Sequence, residues 1–445
     1  MIRLYLILCF ILIGWGANAQ TMSLEECISY ALENNQNVKN AQLSMDISKY
    51  KVGEILADGL PQLSASADLG YNFKVPTSFI PAEFFGGEAG TFSPVQFSPA
   101  YNGSAGIDLS QMLFDGSYFV GLKASRTYAE LSRKDKVKSE IDVIESVSKA
   151  YYLALVNHEQ RELIENSYNR LDTLLRDTRA MLDAGFAERI DVDRIVVQFN
   201  NIKVEKENFE KTLELSYALL KFQMGMDINA PLELKDRIAD IQFEVLEPNF
   251  GSEFNYTDRI EFSQLQTNLD LVNLDIKNTQ VRYLPKVDLY GRYGASTGAG
   301  SFSDLMAFGD NWFGLGVVGM RLNVPIFDGL RKSRQIQQKR LQAQQIEYSQ
   351  DQLKNNIDIE IQQASTNLTK NIDNMVAQRE NMELAENIYN VTKIKYEAGV
   401  GSNADVINAD SSYKEAQTNY HNAVYNALVA KVDLEKAYGK LLDKK

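Results

Sequence analysis

The sequence predicts an α+β membrane protein, a trimeric twelve-stranded β-barrel with four strands from each chain, continued by a long α-helical coiled-coil barrel and built from an internal duplication. Three observations predict it. A series of landmarks recurs about 213 positions apart, segments of 68 and 69 residues run without a proline, and the stretches before them alternate apolar with polar residues.

The amino terminus comes first. Arg3 is followed by an apolar run from Leu4 to Gly16, then by Ala17-Asn18-Ala19, the small-x-small form that a signal peptidase cuts. The run is shorter than the ~20 residues a membrane helix needs, so residues 1–19 read as a secretory signal peptide. Cys9 lies inside the run, which does not support a lipid-anchored terminus. The mature chain then keeps one cysteine, Cys27, which excludes an intrachain disulfide. Loss of the single charge Arg3 takes the formal net charge from −13 to −14. That balance argues against a nucleic-acid partner, which needs a basic face to meet phosphates. No later apolar run is long enough for a membrane helix, so any contact with lipid must be made by strands.

The duplication organises the rest. Leu109-Ser110-Gln111-Met112-Leu113-Phe114-Asp115-Gly116 recurs as Leu322-Asn323-Val324-Pro325-Ile326-Phe327-Asp328-Gly329, 213 positions on. Ala184-Gly185-Phe186 recurs as Ala398-Gly399-Val400, Asp191-Val192 as Asp405-Val406, and Gly225 as Gly439, each at a spacing of 214. Leu60-Pro61 recurs as Leu284-Pro285. A first repeat therefore spans 20–225, a joining segment 226–256, and a second repeat 257–445.

Each repeat opens with a helix, from Ser23 to about Ala57 and from Thr257 to about Tyr283. Ser23 with Glu26 forms a capping box at the first start, and Pro61 or Pro285 closes the helix. Strands follow. From Leu63 to Lys74 every odd position is apolar and every even one polar or glycine. Tyr101 to Leu109 and Val287 to Tyr293 repeat the alternation, and Phe313 to Val324 changes phase at Val317-Val318, which suits a bulge. Two loops, Val75 to Ala100 and Ala295 to Asn311, join the strands of each pair.

Next come the long segments, Ser117 to Ala184 and Leu330 to Ala398. Gly121 is their only internal glycine before the terminal turns. As helices they reach about 100 Å, which no compact domain uses. A Gly-centred turn and a last helix complete each repeat. In the second of these, Ala409, Ala416, Ala423, Ala430 and Ala437 fall every seven residues, with Tyr413, Tyr420, Ala427, Leu434 and Leu441 as a second stripe. Two such stripes make a coiled-coil seam.

Two strands per repeat give four per chain, too few to close a barrel, which takes about eight. An unclosed edge in lipid leaves backbone groups unsatisfied. Two chains would give eight strands with an interior filled by side chains, while three give twelve and leave room for a pore, which suits a channel better.

In its ordered landmarks the chain resembles the TolC-type outer-membrane efflux protein family. The likeness covers essentially the whole mature chain. It rests on Ser23-Leu24-Glu25-Glu26-Cys27-Ile28 with Ala31-Leu32-Glu33-Asn34-Asn35, on the Leu-Pro ends, on Pro325-Ile326-Phe327-Asp328-Gly329, and above all on Tyr396-Glu397-Ala398-Gly399 through Ser402 to Asp405-Val406-Ile407-Asn408-Ala409. The resemblance implies a homotrimer in the outer membrane with its helices in the periplasm. It also implies docking of the hairpin tips, at Gly185, Phe186, Gly399 and Val400, to a periplasmic adaptor and through it to an inner-membrane transporter. It further implies a periplasmic gate at Asp191, Tyr396 and Asp405, whose carboxylates would favour cations. Gly401 and Asn408 depart from the family's basic and second acidic gate positions. Arg189 and Arg194, beside Asp191, are candidates for the missing positive charge, and Asp191 also suits a helix N-cap.

No catalytic, cofactor or metal motif is present. His158 and His421 occupy no equivalent repeat positions, and no Gly-rich phosphate loop, nucleophile elbow or Cys/His cluster occurs. The rival reading is a periplasmic coiled-coil adaptor, which explains the helices but needs one hairpin and leaves the duplicated strand pairs without a purpose.

Overall fold

The computed structural model describes residues 20–238, 254–309 and 311–444; the signal peptide and the Ile241 to Leu246 stretch of the joining segment lie outside the described residues. The chain divides into two compact units, each drawn from both halves of the duplication. One comprises Met1–Met45, Ser132–Gln266 and Tyr348–Lys445, the other Asp46–Leu131 and Thr267–Glu347.

In the first unit, strand β1 (Gln20–Met22) leads into helix α1 (Leu24–Asn34). The capping box forms as the sequence suggests. The Glu26 N–H donates to Ser23 Oγ at 3.3 Å and the Ser23 N–H to the Glu26 carboxylate at 2.7 Å, a backbone bond that holds this carboxyl below its usual range. The single opening helix read from the sequence is two helices. The chain is extended at Asn35 (ψ 133°) and resumes as α2 (Gln36–Ala57). Asn35 is buried, and its Oδ1 accepts from the Asn37 N–H at 2.7 Å. A short polar side chain that offers the backbone a local bond breaks a helix in this way, and apolar periodicity does not register it. In the second repeat a 3-10 turn at Tyr256–Asp258 replaces the first helical turn. The chain is extended at Arg259 (ψ 122°) before α5 (Ile260–Val281).

The second unit carries the sheet, β2 (Gln62–Tyr71), β5 (Tyr101–Phe114), β7 (Lys286–Ala299) and β8 (Phe313–Asn323), antiparallel in the order β2-β5-β7-β8. The first inter-strand loop holds a small hairpin of β3 (Ser78–Pro81) and β4 (Phe92–Val95), and the second a short helix, α6 (Phe302–Leu305). The bulge expected at Val317-Val318 is absent. The β7–β8 register runs unbroken, with Val317 opposite Arg292 and Val318 opposite Gly291, and the irregularity lies in β5 between Met112 and Phe114. The phase change in β8 records apolar residues on both faces rather than an inserted residue.

Register sorts the sheet into two faces. Cross-strand partners share a face, so Leu63, Leu109, Gly291 and Val318 lie together, as do Ala65, Ile107 and Tyr293. The opposite face carries Ser64, Asp108 and Arg292 in one row and Asp68, Ser104 and Ser296 in another. Arg292 pairs with Asp108 at 3.7 Å, and the Arg321 guanidinium lies over the Tyr290 ring. The apolar face is open, with Leu63, Leu69 and Val318 at 70, 59 and 80% exposure. Strands β2 and β8 each have one unpaired edge within the sheet.

The two long segments are single helices, α3 (Gly116–Asp183) and α7 (Arg331–Glu397). They are followed by α4 (Arg189–Met224) and α8 (Asn403–Ala437). In the first unit the later half of the seam read from the sequence is buried, while Tyr413, Ala416 and Tyr420 are half-buried. Ala423, Ala430, Ala437, Ala427 and Leu434 are almost wholly enclosed, with Ala430 and Leu434 packed on Ile357, Ile361 and Leu368 of α7. Val424, Leu428 and Val432 pack on Val143, Val147 and Tyr151 of α3, each large side chain contributing about 1.5–3 kcal/mol. Strand β6 (Leu232–Leu234) of the joining segment pairs in parallel with β1. Asp236 anchors it, accepting from the Tyr151 hydroxyl at 2.7 Å and the Leu24 N–H at 3.1 Å.

Candidate functional site

The hairpin tips are built alike in the two repeats. After α3 the chain reverses at Gly185 (φ 79°), whose N–H donates to the Leu182 carbonyl at 3.0 Å, while the Phe186 N–H donates to Met181 at 2.8 Å. After α7 it reverses at Gly399 (φ 75°), whose N–H donates to Tyr396 at 2.9 Å, with the Val400 N–H donating to Lys395 at 3.0 Å. This is the left-handed helix ending that glycine adopts without strain. The reversal turns the next side chain outward, leaving Phe186 87% and Val400 78% exposed.

Each returning helix starts with an aspartate at its third position. In α4 the N-cap is Glu188 rather than Asp191, because the extended residue (ψ 156°) is Glu188; its N–H donates to Asp191 Oδ2 at 3.2 Å. In α8 the Asp405 N–H donates to Ser402 Oγ at 3.2 Å, and the Ser402 hydroxyl donates to the Asp405 carboxylate at 2.7 Å. A carboxylate in the first turn also faces the positive end of the helix dipole. Of the two arginines, Arg194 approaches Asp191, at 3.6 Å, while Arg189 pairs with Asp193 at 3.2 Å.

Two bonds join the repeats near the tips. Asn403, buried at the start of α8, donates through Nδ2 to the Asp191 carbonyl at 2.9 Å. The Tyr396 hydroxyl lies 3.1 Å from Thr178 Oγ1 on α3. Asp405 is exposed. Beneath, Leu175, Val192, Ile195 and Ile407 form one apolar cluster and Tyr389, Val406 and Ala409 another. Asn403 and Thr178 were not marked by the sequence reading, since neither stands in a motif and each matters only through a partner distant in the chain.

The two histidines differ. His158 Nδ1 lies 3.3 Å from the Tyr217 hydroxyl. His421 is buried in the helical unit, and burial lowers its pKa to about 4. Among the described residues, no group of three or more His, Cys, Asp or Glu is placed to hold a metal ion, and no helix is long and apolar enough to cross a membrane.

Comparison with known proteins gives a consistent picture. The outer membrane efflux protein family matches residues 27–225 and 258–440. The probable efflux pump outer membrane protein TtgC of Pseudomonas putida is 22% identical over 436 residues, 96% of this chain and 84% of that protein. The outer membrane protein TolC of Escherichia coli is 20% identical over 443 residues, again 96% and 84%. The crystal structure of the open state of the MtrE outer membrane channel of Neisseria gonorrhoeae shares the fold with a TM-score of 0.71, at 18% identity over 94% of this chain and 89% of that one.

Proposed function

The chain belongs to the outer membrane efflux protein family and is an outer-membrane channel component; from that premise we propose how it closes, gates and docks. Three copies form one channel. Each contributes its four-stranded sheet to a twelve-stranded barrel, the β2 edge of one copy pairing with the β8 edge of the next. The helices of the three copies form a periplasmic tube that receives substrate from an adaptor and an inner-membrane transporter. One observation carries this reading, the two-faced sheet. An apolar face open to its surroundings, a polar face bearing Arg292 and Asp108, and two unpaired edges suit lipid outside, water inside and neighbours on either side.

The gate lies at the tips. Tyr396 and Asn403 tie the α7–α8 hairpin to the α3–α4 hairpin, and in the trimer the Asp191 and Asp405 carboxylates set a field that favours cations. Phe186 and Val400, apolar and exposed beside Gly185 and Gly399, provide the adaptor's contact.

The test is the mass of the mature protein in detergent together with planar-bilayer conductance on the same sample. A heat-sensitive trimer with small, discrete, cation-selective openings is the expected result. A soluble monomer that never inserts would overturn the reading in favour of a periplasmic adaptor.

A further inference from the structure

About four helical turns before Gly185, one guanidinium gathers three helices. Arg170 of α3 pairs through Nε with Asp410 of α8 at 3.0 Å. Its charged carbon lies 5.4 Å from the Tyr389 ring of α7 and 5.5 Å from the Tyr413 ring of α8. Those rings are themselves stacked, 6.2 Å apart and 19° from parallel. Asp410 keeps 7% of its side chain exposed and Arg170 23%, whereas the ties across the tips, Tyr396 to Thr178 and Asn403 to Asp191, are hydrogen bonds between neutral groups.

Any parting of the α7–α8 hairpin from the α3–α4 hairpin must stretch both the tip bonds and this clasp. The two differ in what rupture leaves behind. Each tip tie joins neutral groups, and its loss leaves no charge behind. Separation of Arg170 from Asp410 would leave a buried carboxylate uncompensated, which is strongly unfavourable, and would also unstack a cation from two aromatic faces. The tip bonds therefore yield first.

We propose that Arg170 is a positioning residue for opening, holding α3, α7 and α8 together while the tips part, so that movement is confined to the turns beyond it. This rests on the gate reading above. Asp410 supplies the anchoring charge, and Tyr389 and Tyr413 fix the plane of the guanidinium. Sequence reading passes over the cluster because its members lie on three helices and share no motif.

The experiment places one spin label per chain in the detergent-solubilised trimer and reads the distances between protomers. One sample carries Asp183→Cys at the tip and the other Asn166→Cys just inside the clasp, both exposed positions; the native Cys27 is buried. The clasp is removed by the pair Arg170→Met with Asp410→Leu, which leaves no unpaired charge and so keeps the helices foldable. With the clasp intact, Tyr396→Phe should widen the Asp183 distances and leave those at Asn166 unchanged. With the clasp removed, whether or not Tyr396 is replaced, the Asn166 distances should broaden. Asn166 distances that move with the clasp intact, or that stay fixed once it is removed, overturn the proposal. If Tyr396→Phe moves neither label, the gate reading has failed, and the paired clasp variant still decides the role of Arg170.

Discussion

Asn35 donates through Nδ2 to the carbonyl of Gln223 at 2.7 Å, and the same place in the second repeat is held by a different side chain. There Arg259 Nη1 donates to the carbonyl of Ala437 at 2.9 Å, Ala437 standing 214 positions after Gln223. In both repeats a polar side chain at a break in the opening helix satisfies an orphan carbonyl at the end of the returning helix. Arg259 also pairs with Glu261 and Glu360, so the second junction is charged where the first is neutral.

The glycine that ends each returning helix packs against that break. A Cβ on Gly225 (φ 72°) would stand 2.7 Å from the Asn34 carbonyl oxygen, and one on Gly439 (φ 72°) 2.7 Å from that of Asp258. Both obstacles are backbone. Gly225→Ala and Gly439→Ala should each destabilise the helical unit by about 2–4 kcal/mol, combining left-handed strain with overpacking. Denaturant titration of the purified protein in detergent, followed by far-ultraviolet circular dichroism, measures it.

Val317 and Val318 are adjacent and identical, yet they lie on opposite faces of the sheet, beside Arg292 and Gly291 respectively. Val318→Arg places a charge among the apolar residues and should cost about 2–4 kcal/mol at mid-membrane depth, seen as loss of the heat-sensitive trimer. Val317→Arg should assemble normally and shift reversal potentials toward anions. Equal tolerance of both would mean the faces are not lipid and lumen.

At the tip, the gate charge proposed for Asp405 can be separated by substitution from its bond with Ser402. Asp405→Asn removes the charge and keeps an acceptor for Ser402, so cation selectivity should fall with little change in stability. Asp405→Ala should lower selectivity equally and cost about 1 kcal/mol more through loss of the bond from the Ser402 hydroxyl. Conductance with asymmetric salt and thermal melting read the two effects independently.

Phe186→Asp and Val400→Asp alter the exposed apolar residues of the turns without touching a described hydrogen bond of either side chain. Trimer assembly and single-channel conductance should be unchanged, while binding of the cognate adaptor, measured by surface capture, should weaken about tenfold or more.

Burial holds the folded-state pKa of His421 at about 4, below that of a free imidazole. The unfolded chain therefore binds the proton first. The stability given by the neutral ring is complete above about pH 6.5 and is lost as the pH falls toward 4, by up to about 3 kcal/mol. His421→Leu should flatten that stretch of the stability–pH curve, and an unchanged slope would assign it to other groups.

By itself the sequence determined the repeated grammar of this protein. The absence of proline set the long helices, alternation set the four strands, and the Gly-centred turns set where the hairpins reverse, because each depends on residues close together in the chain. The seam of alanines was legible for the same reason, since a seven-residue spacing is local. Tertiary structure decided the rest. The break at Asn35 uses a local bond to Asn37 but is anchored by one to Gln223, far away in sequence, and the unbulged register of β8 was fixed by β7 rather than by its own pattern. The ties of Tyr396 to Thr178, Asn403 to Asp191 and Arg170 to Asp410 join opposite repeats. Such bonds leave no local trace, because either partner is an ordinary helical residue until packing brings the other within reach.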